Sequence, residues 1–400
     1  MTAYAIVNVR AAPAAEGYGT LRSRVLSAAG FAAAAAEIAT WPGYAPTPLV
    51  PLPALARRLG LCEVWYKDER SRFGLKSFKA LGGAYAVANV LKRAIRAADR
   101  GAANSIELLQ GAFREIVAGV TVTCATDGNH GRSVAWGAQL FGCRCVIFVH
   151  EKVSQGRRDA IARYGADVVE VKGNYDDAVR HAAATAAANG WTVVSDTSYP
   201  GYREIPTEVM HGYGAMAAEI AAQLETPPTH VLVQAGVGAL AAAVCADFWL
   251  RWGEQRPRFV IIEPTAADCV TRSLMAGRPV AIAGALDTVM AGLACGEVSE
   301  LAWEILAAGA NAAVAVPDSY ALAAVRAFAN PAGGDPAIVS GETGAAGLAA
   351  LLAAQDDPAI RSALVLDRNS RVLLLGSEGD TDAAIYKDIV GRTADEVLAP

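Results

Sequence analysis

Short runs rich in β-branched and other apolar residues alternate along the chain with longer stretches whose apolar positions recur at helical spacing. VTVTC (120–124) precedes a helix predicted from about Gly131, and CRCVIFV (143–149) one around SQGRRDAIARYG. ADVVEV (166–171) precedes NYDDAVRHAAATAAANG, and WTVVSD (191–196) closes this series. The pattern resumes at HVLVQ (230–234), RFVIIE (258–263), AAVAV (312–316) and RVLLLG (371–376). This alternation predicts βαβ units, and so an α/β fold built on parallel sheets. Two sheets are expected, because the region between Ile106 and Thr121 and the stretch SYPGYREIPTE (198–208) read as connections. The abundant alanines suit helices packed closely on a sheet, and no repeat or disordered tract is evident.

With 400 residues the chain exceeds what one hydrophobic core usually serves, so two domains are expected. Apolar residues make up 53%, yet apolar stretches such as Ala235–Ala246 fall short of the roughly 18–20 residues that cross a bilayer. No membrane span is expected. The N-terminal residues lack the charged start and compact apolar block of a secretion signal, and the seven cysteines form no regular framework, which favours a reducing cytoplasm. Cys143 and Cys145, one residue apart on a predicted strand, point to opposite faces and make a poor metal pair. A net charge of -5, without a basic cluster interleaved with aromatics, gives no footprint for nucleic acid. Chemistry on a small molecule becomes the expectation.

Three segments carry that chemistry. In GLKSFKALGGAYAV (74–87), Lys79 opens an apolar helix pattern. Such a lysine either snorkels along the helix or, desolvated, becomes a nucleophile able to hold an aldehyde as a Schiff base. In QAGVGALAAAV (234–244), a strand runs through Gly236 and Gly238 into a helix whose N-terminal amides favour an anion such as phosphate. The dinucleotide fingerprint is incomplete there, with Ala241 at the third glycine position. In CATDGNHGRSVAW (124–136), another strand turns into a helix, with Gly128 leaving amides open to a carboxylate and Asn129 adding a side-chain donor.

Taken together, SFKALGG, TDGNHG and GVGAL resemble the fold-type II pyridoxal phosphate enzymes, the superfamily of the tryptophan synthase β-subunit and the serine/threonine dehydratases. Within it, DERSRFGLKSFKALGGAYA (68–86), ATDGNHGR (125–132), SDTSYPGYREIP (195–206) and EGDTD (378–382) are most similar to the diaminopropionate ammonia-lyase family, over nearly the whole chain from about Pro46.

The resemblance implies pyridoxal 5'-phosphate as cofactor, Lys79 as its Schiff-base lysine and Phe78 as its ring-side neighbour. It implies Asn129 as partner of the phenolic oxygen and Gly236, Val237, Gly238, Ala239 and Leu240 as the phosphate cradle. Relatives often carry serine where Ala239 stands, so one hydroxyl contact is lost while the amide remains. Ser377, at the end of RVLLLG, falls where the superfamily sets a hydroxyl opposite the pyridine nitrogen, or else caps a turn. Substrate would be bound by Thr126, Asp127, Gly128, Asn129, His130 and Asp196, with His130 serving the loop's structure.

Asp127 replaces the small residue usual in hydroxyamino-acid dehydratases, and a carboxylate there suits a substrate with a second ammonium. It is a candidate Cα base on the face opposite Lys79, or otherwise a helix cap. Asp196 is a candidate for holding or steering the β-amino group, or otherwise a turn residue. The implied reaction is α,β-elimination of 2,3-diaminopropionate to pyruvate and ammonia, on both enantiomers if Lys79 and Asp127 serve opposite faces. A serine/threonine dehydratase, a β-replacement transferase of the same fold and a non-catalytic nucleotide-binding module are the rivals. A large cofactor-binding domain of residues 1–84 and 199–400, a small mobile domain of 85–198, a cofactor between them and a homodimer are implied as well. Cys269 and Cys295 are read as free buried thiols, with a disulfide as the alternative.

Overall fold

A computed structural model of the chain describes residues 2–126, 128–173 and 175–399. Its strands, in chain order, are β1 (Tyr4–Val7), β2 (Leu49–Pro51), β3 (Glu63–Asp68), β4 (Thr121–Ala125), β5 (Arg144–His150), β6 (Asp167–Val171), β7 (Thr192–Val193), β8 (His230–Gln234), β9 (Arg258–Pro264), β10 (Ala312–Val316) and β11 (Arg371–Gly376). The chain divides into two compact units, one of residues 1–28, 46–77 and 216–400, the other of residues 29–45 and 78–215.

The first unit holds a seven-stranded sheet in the order β1-β10-β9-β8-β11-β3-β2. Its five inner strands run parallel, while β1 and β2 pair antiparallel at the two edges. β8 and β10 are buried at every position, as strands covered on both faces must be. Leu232, Val260, Val314 and Leu374 pack there with Leu351 and Phe328 from the covering helices. The same unit encloses a cluster of charges: Lys67 and Arg72 both pair with Glu219, and Arg72 also pairs with Glu69. Thr47 donates to Glu69 and accepts Lys67 on its carbonyl oxygen. Arg72 is buried at 1% exposure within this network.

In the second unit the sheet has four parallel strands in the order β6-β5-β4-β7. Helix Lys79–Ala97 packs along helix Asn129–Phe141, and a Cβ placed on Gly137 would lie 2.7 Å from Ala84 Cα, so glycine sets how closely the two backbones approach. That packing carries the whole of helix Lys79–Ala97 into this unit, so its bound falls at residue 78 where the sequence reading had 85. Residues 29–45 join it because Phe31 meets His211 edge-on and Trp41 packs on Trp136 and Phe141.

The two stretches read as connections contain helix: Ser105–Leu109, held by a capping box between Asn104 and Glu107, then Arg114–Ala118, and a helix beginning at Glu204. WTVVSD contributes strand only at Thr192–Val193. No helix of the described residues is long and apolar enough to cross a membrane.

Candidate active site

Lys79 is the first residue of a helix whose next ten residues, but for Asn89, are buried. Its side chain keeps 22% exposure and its ammonium forms an ion pair with Asp196, which lies just beyond β7. The same nitrogen stands 5.5 Å from the centroid of the Phe78 ring and 5.9 Å from that of Tyr213, and those two rings pack 4.7 Å apart. Burial raises the Tyr213 phenol far above its usual range, the Lys79 charge opposing it only in part. Burial would also raise the Asp196 carboxyl, but the Lys79 ammonium outweighs that effect and holds it well below the usual carboxylate range.

His130 sits in the first turn of helix Asn129–Phe141. Its Nε2 lies 2.8 Å from the Val194 carbonyl oxygen and its Nδ1 3.9 Å from Asp196 Oδ2. Desolvation lowers its pKa, so the imidazole is neutral, against the pull of Asp196. Thr126 Oγ1 accepts from the amides of Gly128 (3.0 Å) and Gly131 (3.1 Å), so this hydroxyl ties the strand end to the helix start. Asn129 Oδ1 accepts from Arg132 at 2.7 Å. Asp127 lies outside the described residues.

Tyr202, which the sequence reading passed over, steadies the Asp196 loop. Its hydroxyl donates to Val193 O at 2.8 Å and accepts from Ser195 N at 2.9 Å. Its signal was present in SYPGY, but a tyrosine nine residues beyond the end of β7 gives no hint that the chain doubles back.

In the first unit, β8 ends at Gln234, and Gly236–Gly238 turn directly into helix Ala239–Trp252. Gly238 adopts φ +91°, a left-handed conformation that favours glycine. A Cβ on Gly236 would lie 2.9 Å from Gly292 O and 3.0 Å from Cys295 Sγ, so the turn is passable only without a side chain. Ala239 and Leu240 are buried at 3% and 7% exposure. Ser377 follows β11, and its Oγ accepts from Gln234 Nε2 at 2.5 Å, which leaves the hydroxyl proton to be donated onward. Gln234 Oε1 is buried with no hydrogen-bond partner among the described residues. A glycine turn opening a 14-residue helix, together with a buried hydroxyl that already accepts one bond, fits a phosphorylated pyridine: amides for the phosphate and an O–H donor for a ring nitrogen.

EGDTD supplies a salt-bridge hub, with Asp380 pairing with Lys76 at 2.5 Å and with Arg70 at 3.4 Å. Thr343 donates its amide to Glu378 at 3.2 Å. No disulfide joins Cys269 and Cys295; Cys269 is buried as expected, whereas Cys295 is only half-buried.

A family model described as pyridoxal-phosphate dependent enzyme matches residues 40–375. The chain belongs to this family, and its fold is the fold-type II arrangement of parallel sheets flanked by helices. Within the family, the diaminopropionate ammonia-lyase of Escherichia coli K12 is 42% identical over 354 residues, 87% of this chain and 88% of that one. The crystal structure of the E. coli enzyme in complex with an aminoacrylate-PLP azomethine reaction intermediate superposes with a TM-score of 0.86 at 39% identity, covering 97% of both chains. Its complex with D-serine gives 0.88 at 38% identity, covering 98% of both.

Proposed function

We propose that this chain eliminates ammonia from 2,3-diaminopropionate, yielding pyruvate and ammonia, with pyridoxal 5'-phosphate as cofactor. The observation that carries the reading is a lysine at the head of a buried helix, its nitrogen held by a carboxylate that stays ionised. When bound, the cofactor supplies an electron-withdrawing ring that makes the substrate's Cα proton acidic.

The residues that would hold the cofactor are Lys79 at its carbonyl carbon, Phe78 beside the ring, Asn129 at the phenolic oxygen and the amides of Gly236–Leu240 at the phosphate. Ser377 would donate its hydroxyl proton to the ring nitrogen. A neutral donor there leaves that nitrogen largely unprotonated, which favours prompt loss of the β-substituent over storage of negative charge. Thr126, Gly128, Asn129 and His130 form the segment that would receive the substrate carboxylate. The Lys79 amine would take the Cα proton from one face and Asp127 from the other. Asp196 would hold the β-nitrogen as an ammonium.

Reduction with borohydride followed by peptide mass analysis tests the anchor: a pyridoxyl mass is expected on Lys79 and nowhere else. Parallel assays of 2,3-diaminopropionate, serine and threonine, with and without added thiol, separate the lyase from a dehydratase or a β-replacement enzyme. Asp127→Asn is expected to abolish turnover of the D-enantiomer while sparing the L; equal loss of both would remove the two-face reading.

The protein is further read as a cytoplasmic homodimer whose second unit is mobile. None of the seven cysteines is in a disulfide, which suits a reducing compartment. Val9, Leu21 and Met275 of the first unit are more than half exposed, as side chains bound for an interface would be in an isolated chain. Light scattering that returns the mass of a single chain would remove the dimer.

A further inference from the structure

We propose that His130 Nδ1 and Asp196 together form a two-acceptor receptor for the substrate's β-ammonium, making His130 a specificity-determining residue; this rests on the reading that Asp196 receives that group. Three observations, all within the second unit, lead there.

First, the Val194 carbonyl can only accept, so the 2.8 Å contact from His130 Nε2 fixes the proton on Nε2. In the neutral ring that burial favours, Nδ1 is then a lone pair, buried and without a hydrogen-bond partner among the described residues. Second, that lone pair stands 3.9 Å from Asp196 Oδ2, so two acceptors face each other with no proton between them. Lys79 already donates to Asp196 Oδ2, so His130 Nδ1 is the acceptor left unserved, and a donor that reaches both groups would satisfy it. Third, Asp196 already pairs with a primary ammonium, that of Lys79, so its carboxylate is placed to accept from a group of that chemistry.

A β-ammonium brings three protons and can satisfy Asp196 and His130 at once. A β-hydroxyl brings one and must leave an acceptor unpaired. The same protonation suits departure: the C–N bond breaks with its electron pair on nitrogen, and a nitrogen carrying three protons leaves as neutral ammonia. The Cα–H pair becomes the new double bond, and its proton passes to the base. The neutral state of the imidazole, favoured by burial, is what keeps Nδ1 an acceptor.

The test compares His130→Gln with His130→Asn in the holoenzyme. Glutamine keeps a donor toward Val194 but has no acceptor at the Nδ1 position, whereas asparagine restores an oxygen there. His130→Gln is expected to lower kcat/KM for 2,3-diaminopropionate about ten- to a hundredfold, the loss of one charge-assisted hydrogen bond. The inhibition constant of D-serine should stay within about threefold, and His130→Asn should recover kcat/KM to within about fivefold of the parent. The 15N resonance of Nδ1 should report an unprotonated nitrogen.

Parallel loss toward both ligands, no loss in His130→Gln, or a protonated Nδ1 would overturn the proposal. Asp196→Asn separates the two layers. If it leaves kcat/KM unchanged, the reading of Asp196 fails and takes this proposal with it. If it lowers kcat/KM while His130→Gln does not, only the role of His130 falls.

Discussion

Each unit pairs a lysine with a carboxylate, but the two settings differ in completeness. In the first, Lys67 at no side-chain exposure is bonded to Glu219, the Thr47 carbonyl and Gln223, while Arg72 spans Glu69 and Glu219 with two charges of each sign in balance. In the second, Lys79 and Asp196 remain 22% and 15% exposed, and the neighbouring His130 leaves Nδ1 without a hydrogen-bond partner among the described residues. A closed network fastens chain segments, because removing any member strands a buried charge. An open one has capacity left for a ligand. The difference separates a structural lysine from a reactive one more sharply than burial does, since by burial alone Lys67 would be the better candidate for a perturbed amine.

The largest expected effect breaks the open side of the comparison. Lys79→Ala should reduce pyruvate formation by about a thousandfold or more, with no pyridoxyl label after borohydride, and should lower the urea midpoint only by the share of stability that its partly exposed ion pair with Asp196 supplies. The same kind of truncation on the closed side should do the reverse. Glu219→Ala strands Lys67 and Arg72 and should cost about 3–5 kcal/mol in urea unfolding, with activity per folded molecule retained.

Next in size, Asp196→Asn should lower kcat/KM for 2,3-diaminopropionate about a hundredfold. Because the folded carboxyl titrates below its unfolded value, Asp196 adds stability above about pH 4, and this is lost as pH falls from there toward the folded pKa. Unfolding of Asp196→Asn and the parent should therefore converge in acid and differ at neutral pH; a constant gap would contradict the ion pair. The smallest effect belongs to the glycine turn. Gly238→Ala forces a side chain to φ +91° with its Cβ 3.1 Å from Ala302 Cβ, costing about 1–3 kcal/mol. It should weaken cofactor binding about tenfold, read by absorbance titration.

The inner strands were legible because apolar runs such as HVLVQ and AAVAV can only be central strands of a covered parallel sheet, and the structure places both at the expected residues. The edge strands β1 and β2 and the inner strand β3 beside β2 were not: β1 has four residues, β2 three, and β3 reads EVWYKD, so their pairing is set by the neighbour they lie on rather than by their own pattern. The helices at 105–118 are five residues each and depend on caps and packing more than on periodicity.

By itself the sequence determined the local chemistry of this protein: a lysine opening an apolar helix, a glycine turn before another, and a carboxylate at a strand end, each fixed by neighbours within a few residues. Only the tertiary structure decided which charges meet. Arg72 closes on Glu219 across 147 positions, and Lys79 finds Asp196 across 117. The physical reason is that an ion pair or a missing hydrogen bond depends on three-dimensional distance and on the water excluded around it, and neither is written in the spacing of residues along the chain.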